Sequence, residues 1–306
     1  MTDLNGSSGA GSHDGAVAPG DRLAAYPAQE PLSPLGEAYS QKVLALGAAV
    51  QGREVQYGSD PQQCLTVFSP ADPNGVVFVV FHGGGWTNGY KEWMYLLAPA
   101  FNARGVTLVS ATYRLAPRHI FPAGFEDCAD AVAWAHRMLM PSLGPAGRLF
   151  VGGHSAGGHY AALLAVTDDW RAARDLPVDL LDGCVPISGT YWFGEGSGLA
   201  MRPRFLGTDP ATDGRASPLL RLSAHCTPAF FLSYGDRDFP HLIRQAKEMT
   251  AALEAASVPV HVEVMEDCDH FEAGIACGDQ SRPWFAKLVA WMSATPSTTN
   301  SSARPR

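Results

Sequence analysis

Apolar runs of strand length alternate with longer helical patterns along most of the chain. The helical patterns cover Glu92–Arg104, Phe125–Met140, Ala156–Val166, Leu242–Ala256 and Pro283–Met292. The runs that predict strands are Leu65–Phe68, Val76–Phe81, Thr107–Thr112, Leu149–Gly153, Gly183–Ser188, Phe230–Tyr234 and Val260–Met265. Continuous apolar strands between helices are typical of a mostly parallel, doubly wound α/β sheet that is covered on both faces. Ligands bind such sheets at the carboxyl ends of the strands.

Two segments interrupt this alternation, and each is a candidate cap over a binding site. Residues 23–51 read as one helical segment before the first strand, and residues 190–222 are rich in Gly, Pro and Arg. For the second segment, the alternative to a cap is an ordinary surface loop. We expect a single domain over residues 21–292, with a disordered leader at 1–20 and a disordered tail at 293–306.

Composition narrows the classes of function. The 306 residues are 46 % hydrophobic and carry a net charge of −8. An acidic chain without basic clusters argues against nucleic acid or an anionic membrane as partner, and leaves a small-molecule substrate. We see neither a membrane-spanning run nor a signal peptide, and expect a cytoplasmic protein. The oligomeric state is open, and a homodimer is one candidate. Six scattered cysteines without a C-x-x-C pair are expected to be reduced thiols: Cys64, Cys128, Cys184, Cys226, Cys268 and Cys277.

The most informative motif is Gly153-His154-Ser155-Ala156-Gly157, which lies between a predicted strand and a predicted helix. G-x-S-x-G in that position is the pattern of a nucleophile elbow, a sharp turn that exposes a serine hydroxyl. Glycines are needed because the serine backbone is strained and side chains beside it would collide with the neighbouring turn. The motif also arises by chance, so its interpretation depends on partners elsewhere in the chain.

A glycine-rich loop, His82-Gly83-Gly84-Gly85-Trp86, directly follows the most hydrophobic strand. Acyl transfer needs backbone N–H donors that point at the developing oxyanion, and glycine allows that close approach. We predict Gly84, Gly85 and Ala156 as these donors, with Gly83 as an alternative. A phosphate-binding loop is disfavoured because neither G-K-S/T nor G-x-G-x-x-G is present. His82 is expected to brace the loop through hydrogen bonds.

An acid and a base follow in the order that such a site requires. Asp238 and Asp236 both follow a predicted strand, and the Gly-x-x-Asp spacing favours Asp238 as the acid. The base is predicted to be His270, the only one of ten histidines in the loop after the last strand. Together with Ser155 these residues predict serine-hydrolase chemistry that needs no metal and no cofactor.

These motifs resemble the α/β-hydrolase superfamily over about Gln51 to Met292. Two groups within it share features with the chain. Hormone-sensitive-lipase-like esterases share H-G-G-G and the segment Tyr113-Arg114-Leu115-Ala116-Pro117. Kynurenine formamidase (arylformamidase)-like enzymes share the Gly-His-Ser-Ala-Gly-Gly-His elbow and the segments around Asp238 and His270. Formamidases commonly carry an aromatic residue at the position of Gly85.

The resemblance implies a Ser155–Asp238–His270 triad that cleaves an aryl-formamide or similar amide, with a carboxylesterase for short or aryl esters as the alternative. A catalytically silent binding module is the third hypothesis, and the complete residue set argues against it. Trp86, Trp192 and Phe271 are the predicted substrate contacts, since they adjoin the motif loops and suit a flat apolar group.

Overall fold

The computed structural model describes residues 23–199, 202–222 and 228–297, and its centre is an eight-stranded sheet. The strand order is β1-β2-β4-β3-β5-β6-β7-β8, with β2 antiparallel to both of its neighbours and the other pairs parallel. The strands are Arg53–Gln56 (β1), Cys64–Phe68 (β2), Val76–Phe81 (β3), Thr107–Ala111 (β4), Arg148–His154 (β5), Gly183–Ile187 (β6), Ala229–Gly235 (β7) and Val260–Met265 (β8).

Helices cover both faces of this sheet, as the alternation of patterns predicted. A 3₁₀ helix occupies Lys91–Leu97, and two further 3₁₀ turns lie at Met140–Ser142 and Gly144–Ala146. The α-helices are Pro34–Gly47 (α1), Ala98–Asn102 (α2), Ala123–Leu139 (α3), Ala156–Val166 (α4), Asp169–Ala172 (α5), Arg202–Leu206 (α6), Ala211–Ala216 (α7), Pro218–Arg221 (α8), Pro240–Ala255 (α9), His270–Ala276 (α10) and Pro283–Ala294 (α11).

The core has two layers because alternate residues of a strand point to opposite faces of the sheet. Val77, Val79 and Phe81 of β3 belong to the layer that α3, α4 and α9 cover. Phe78 and Val80 belong to the layer beneath α2, α10 and α11. The whole of β3 is buried, which explains its uninterrupted apolar sequence. The fold class predicted from the sequence is confirmed.

Several elements differ from the predictions at the level of local structure. Among them is α10, a helix that begins at His270, where the sequence predicted a loop. β1 was not predicted, because it is a short edge strand whose residues are mostly exposed and polar. The N-terminal helical segment is shorter than 23–51. Its helix α1 begins after the N-cap Ser33, whose hydroxyl accepts the Gly36 N–H, and ends at Gly47. The helix predicted at Glu92–Arg104 is divided into the 3₁₀ helix and α2.

Five of the six cysteines lie in the described residues and carry free thiols. Four of them are buried, and Cys64 is partly buried. Cys226 and the predicted leader lie outside the described residues, as does all of the predicted tail beyond residue 297. Within the described ranges, no helix is both long enough and apolar enough to cross a membrane.

A buried carboxylate connects the antiparallel edge of the sheet to α3. Asp127 of α3 is fully buried and accepts from the Arg114 guanidinium at 2.7 Å and from its backbone N–H at 2.8 Å. It also accepts from Gln63 Nε2 at 2.8 Å, just before β2. Arg114 directly follows Tyr113, whose ring stacks on His82 beside the glycine-rich loop. The Asp127 carboxylate therefore helps to hold Tyr113 against His82 and the glycine-rich loop, on which the candidate site depends.

We expect Asp127→Ala to lower the free energy of unfolding by about 3 kcal/mol, because the substitution removes one partner of a buried ion pair. Glu126→Ala is the matched control. Glu126 precedes Asp127 on the same helix and its carboxylate pairs with Arg174, but it is 45 % exposed. The control is expected to cost less than about 1 kcal/mol. Urea unfolding followed by tryptophan fluorescence measures both, and equal losses would contradict the assignment.

Candidate active site

The strand-to-helix turn between β5 and α4 holds Ser155 in an unusual conformation. Its backbone has φ 56° and ψ −117°, and its N–H donates to the Ile187 carbonyl oxygen at 2.9 Å. Close packing behind the turn explains the glycine pattern. A Cβ on Gly157 would lie 2.0 Å from the Phe81 carbonyl oxygen, and this distance is too short for any side chain at position 157. The turn therefore displays the serine hydroxyl at the carboxyl edge of the sheet, as the motif predicted.

The three side chains named from sequence form one chain of hydrogen bonds. Ser155 Oγ lies 2.9 Å from His270 Nε2, and His270 Nδ1 lies 2.9 Å from Asp238 Oδ1. His270 and Asp238 are both buried. The alternative acid, Asp236, is exposed and instead accepts the Cys268 N–H at 3.1 Å. Of the two aspartates, the structure therefore brings Asp238 to the histidine.

The electrostatics around Asp238 favour its ionised form. Burial raises the pKa of this carboxyl, whereas the hydrogen bond and the charge of His270 lower it. The Ser188 hydroxyl and the Phe239 N–H lower the pKa further, and the net pKa is below the usual value. Because an ionised carboxylate only accepts hydrogen bonds, the proton of His270 must lie on Nδ1. Nε2 is then free to accept the proton of the Ser155 hydroxyl.

The glycine-rich loop lies beside the serine and offers backbone donors. Gly84 and Gly85 have positive φ angles, 111° and 60°, and both line the cavity that contains Ser155. Among the described residues, we find no acceptor for the N–H groups of Gly84, Gly85 or Ala156. Gly83 also approaches the serine, since a Cβ built on it would lie 3.2 Å from Ser155 Cβ. Unpaired N–H groups next to a hydroxyl are what an oxyanion requires.

His82 braces this loop, as expected. Its Nδ1 donates to the Gly83 carbonyl oxygen at 2.7 Å, and its Nε2 lies 3.1 Å from Thr112 Oγ1. The Tyr113 ring stacks on it at 4.3 Å, and the Tyr113 hydroxyl donates to the His82 carbonyl oxygen at 2.8 Å. Burial lowers the pKa of His82 to about 4, so the ring is neutral near pH 7.

His154 is a second supporting histidine. Its Nε2 donates to the His270 carbonyl oxygen at 2.8 Å, which holds the backbone of the proposed base. Burial and the charge of His270 lower the pKa of His154 to about 3, so it remains neutral. Its position immediately before Ser155 was the only signal in the sequence. Tyr39 of α1 packs against the other side of the ring.

A cavity of about 390 Å³ opens over Ser155. One wall comes from α1 and from the extended residues 27–33 before it, which we call the N-terminal strap. The candidate cap at 23–51 thus contributes directly to the site, and residues 190–222 contribute Arg204. Aromatic side chains line much of the cavity: Tyr39, Trp93, Phe239 and Phe271. Phe271, one of the predicted substrate contacts, is therefore part of the cavity wall.

The other two predicted contacts, Trp86 and Trp192, do not line this cavity. Trp86 is 3 % exposed and stacks on Phe205 of α6 at 4.4 Å. Its indole N–H donates to His159 Nδ1 at 3.0 Å, so the side chain is directed into the core. Trp192 is partly buried, and its backbone N–H donates to Gln245 Oε1 at 2.9 Å. Both residues lie next to a motif loop in the sequence, but neither side chain lines the cavity.

His159 shows why the Trp86 side chain is buried. Its Nε2 donates to the Ala216 carbonyl oxygen at 2.7 Å, which leaves Nδ1 to accept from Trp86. Burial lowers the pKa of His159 to about 4, so the neutral ring satisfies both bonds. Trp86, His159 and Phe205 together attach residues 202–222 to the core.

The chain is similar in sequence to two esterases and to a kynurenine formamidase. Esterase LipC of Mycobacterium tuberculosis is 31 % identical over 265 residues, which are 79 % of this chain and 64 % of LipC. Carboxylic ester hydrolase LipN of the same organism is 31 % identical, over 63 % of this chain and 56 % of LipN. The chain thus spans less than two thirds of the length of these two relatives. Kynurenine formamidase of Danio rerio is 27 % identical, over 71 % of this chain and 74 % of that protein.

Solved structures share the fold. An esterase of the archaeon Pyrobaculum calidifontis superposes with a TM-score of 0.66 at 21 % identity, over 90 % of this chain and 100 % of that one. The carboxylesterase EstE1, cloned from a metagenomic library, gives a TM-score of 0.66 at 20 % identity, over 90 % of this chain and 99 % of that one. The family model for the alpha/beta hydrolase fold matches residues 78–273, which include the glycine-rich loop, the elbow, Asp238 and His270. The chain belongs to the alpha/beta hydrolase fold family.

Proposed function

We propose that this protein is a serine hydrolase that cleaves small carboxylic esters through an acyl-enzyme. The observation that carries the proposal is the unbroken chain of hydrogen bonds from Ser155 through His270 to Asp238, beside backbone N–H groups that find no acceptor among the described residues. A nucleophile with an oriented base, next to donors for an oxyanion, is the arrangement that acyl transfer requires. The esterase relatives support the choice of ester substrates.

The proposed mechanism gives each group a step. Ser155 Oγ attacks the carbonyl carbon as His270 Nε2 takes its proton, and the N–H groups of Gly84, Gly85 and Ala156 hold the oxyanion. His270 then gives the proton to the departing alcohol, which leaves the acyl group on Ser155. Water, deprotonated by His270, attacks the acyl carbonyl and releases the acid and the serine. Asp238 stays ionised and stabilises the imidazolium that forms in both halves of the reaction.

An aryl-formamide is the second candidate substrate, and the cavity wall favours it. Tyr39, Phe239 and Phe271 line the cavity that contains Ser155, and aromatic side chains suit a flat aryl group. The likeness to a kynurenine formamidase supports the same candidate. The mechanism changes only at the leaving group, since His270 must then protonate an amine nitrogen.

Ser155→Ala should lower kcat for p-nitrophenyl acetate by at least about 10⁴-fold, because it removes the nucleophile. It should also abolish labelling by a fluorophosphonate probe, which reacts only with an activated serine. Ser293→Ala is the control, since this exposed hydroxyl on α11 donates to the Val289 carbonyl oxygen at 2.8 Å and does not line the cavity. A folded Ser155→Ala variant that still takes up the probe would exclude this serine as the nucleophile.

The two aspartates provide a second test. Asp238→Asn should reduce kcat by about 10⁴-fold, because an amide no longer holds the proton of His270 on Nδ1. Asp236→Asn, two residues away and exposed, should change kcat by less than about threefold, as for an ordinary surface substitution. Steady-state hydrolysis of p-nitrophenyl acetate at constant pH compares them. A larger loss in Asp236→Asn would transfer the role of the acid to that residue.

A matched pair of substrates separates the two candidate reactions. Phenyl acetate and formanilide present the same aryl group on an ester oxygen and on a formamide nitrogen. For an esterase we expect kcat/KM for phenyl acetate to exceed that for formanilide by more than about 10³-fold, since the amide is the less reactive acyl donor. Comparable values would instead identify an arylformamidase. Parallel assays of Ser155→Ala show which turnover depends on the site.

A further inference from the structure

The N-terminal strap borders a second cavity besides the catalytic one. This cavity, which we call the side cavity, has a volume of about 330 Å³. Its wall consists of residues 27–30 of the strap, residues 115–118, Gln62 and Thr87. Only Glu30 and Thr87 line both cavities, and neither Ser155 nor His270 lines the side cavity. A molecule bound there is therefore separate from the group that Ser155 attacks.

Two polar side chains in the wall of the side cavity already have partners. Gln29 Nε2 donates to the Gly89 carbonyl oxygen at 2.9 Å, and Gln29 Oε1 accepts the Gly89 N–H at 2.8 Å. The Thr87 hydroxyl donates to Asn88 Oδ1 at 2.8 Å. Because buried polar groups need one good partner, neither side chain calls for a ligand.

Gln62 differs, because half of its amide is unused. The residue is 3 % exposed, and its Oε1 accepts the Leu115 N–H at 3.4 Å. Among the described residues, its Nε2 has no acceptor. This nitrogen is not one of the fully enclosed side-chain atoms that lack a partner, so it is open to the cavity. A ligand atom that accepts its hydrogen removes the cost of an unmade hydrogen bond at a buried site.

The side cavity also carries an uncompensated positive charge. Arg118 is exposed, and within the part of the chain that the structure describes its guanidinium has neither an ion pair nor a hydrogen bond. Among the described residues of the wall, Glu30 is the other charged side chain. Its Oε2 accepts from Arg204 Nη1 at 2.9 Å, so its charge is already balanced. The free polar groups of the wall are thus a cation and an amide donor.

The rest of the wall is apolar and comes from Pro27, Ala28, Leu115, Ala116 and Pro117. Leu115 and Ala116 are buried, at 5 % and 4 % exposure. Apolar surface beside a few polar groups is the usual composition of a small-molecule site, and the volume lies in the usual range for such sites.

We infer that the side cavity binds a small monocarboxylate with an apolar body, such as a short aliphatic or aromatic acid. The carboxylate accepts from the Arg118 guanidinium and from Gln62 Nε2, while the apolar body lies against Pro27 and Leu115. A guanidinium matches a carboxylate with two parallel hydrogen bonds. A cation meets a like charge at Arg118, and a neutral ligand leaves that charge unpaired. Acids of this class are products of the proposed hydrolysis, but their binding here does not require that reaction.

The test uses three probes that share a phenyl group: benzoate (anion), benzylamine (cation) and benzyl alcohol (neutral). Isothermal titration calorimetry at pH 7 and low salt measures their binding to the full chain. We expect a Kd of about 1 mM for benzoate, as for a small ligand with one charged contact. Benzylamine and benzyl alcohol should bind at least about tenfold more weakly, because neither accepts from a guanidinium.

Variants of the two donors identify the site. Arg118→Gln should raise Kd for benzoate about tenfold, and Arg118→Lys should retain part of the affinity. Gln62→Glu keeps the shape and the acceptor for Leu115 but places a negative charge beside the ligand, so it should also raise Kd about tenfold or more. Arg244→Gln is the matched control and should leave Kd within about twofold. Arg244 is 50 % exposed, pairs with Glu248 and lines neither cavity.

Protein treated with phenylmethanesulfonyl fluoride separates the two cavities, because this reagent modifies an activated serine and so fills the catalytic cavity. Benzoate should bind the treated protein with a Kd within about twofold of the untreated value. Loss of binding on treatment, equal Kd values for the three probes, or wild-type affinity in Arg118→Gln would overturn the side-cavity site. A Ser155 that resists the reagent counts against the proposed function instead, and the Arg118 and Gln62 variants still decide the site.

Discussion

The candidate site depends on one tight contact beneath the turn that carries Ser155. Gly157 packs so closely on the backbone of Phe81 that a single Cβ would overlap the carbonyl oxygen of that residue. Phe81 ends the central strand, and His82 begins the glycine-rich loop one residue later. The same contact thus sets the position of the proposed nucleophile and that of the loop that carries the proposed oxyanion donors. Every other group in the site is arranged around these two backbones.

Four histidines surround this contact, and burial gives three of them a structural role. Burial holds the pKa values of His82 and His159 near 4 and that of His154 near 3, so that they act as neutral donors and acceptors. Each of the three uses a ring nitrogen to hold a backbone carbonyl in place. His270 differs because a carboxylate orients one nitrogen while the other meets a serine hydroxyl. Because the other three rings stay neutral and hold backbone carbonyls, His270 is the one of the four that is placed to transfer a proton.

The sequence predicted what depends on local chemistry and chain order. The buried strands, the elbow, and the order of Ser155, Asp238 and His270 follow from motifs at the ends of strands, where the fold brings them to one edge. The positions of Trp86 and Trp192 could not be predicted, because a side chain beside a motif can turn toward the core or toward the cavity. Trp86 turns inward because His159, seventy-three residues later, accepts its indole proton. Only the three-dimensional structure shows such a pairing.

Part of the cavity wall comes from segments other than those that carry the proposed chemistry. The residues that perform the proposed chemistry come from loops at the sheet edge, whereas the N-terminal strap and α6 come from segments without any recognisable motif. Side-chain hydrogen bonds of Gln29 and Asn88 join the strap to the residues that follow the glycine-rich loop. An ester and a formamide make the same demands on Ser155 and His270. Selection between them must therefore come from the strap, α6 and the aromatic faces between them.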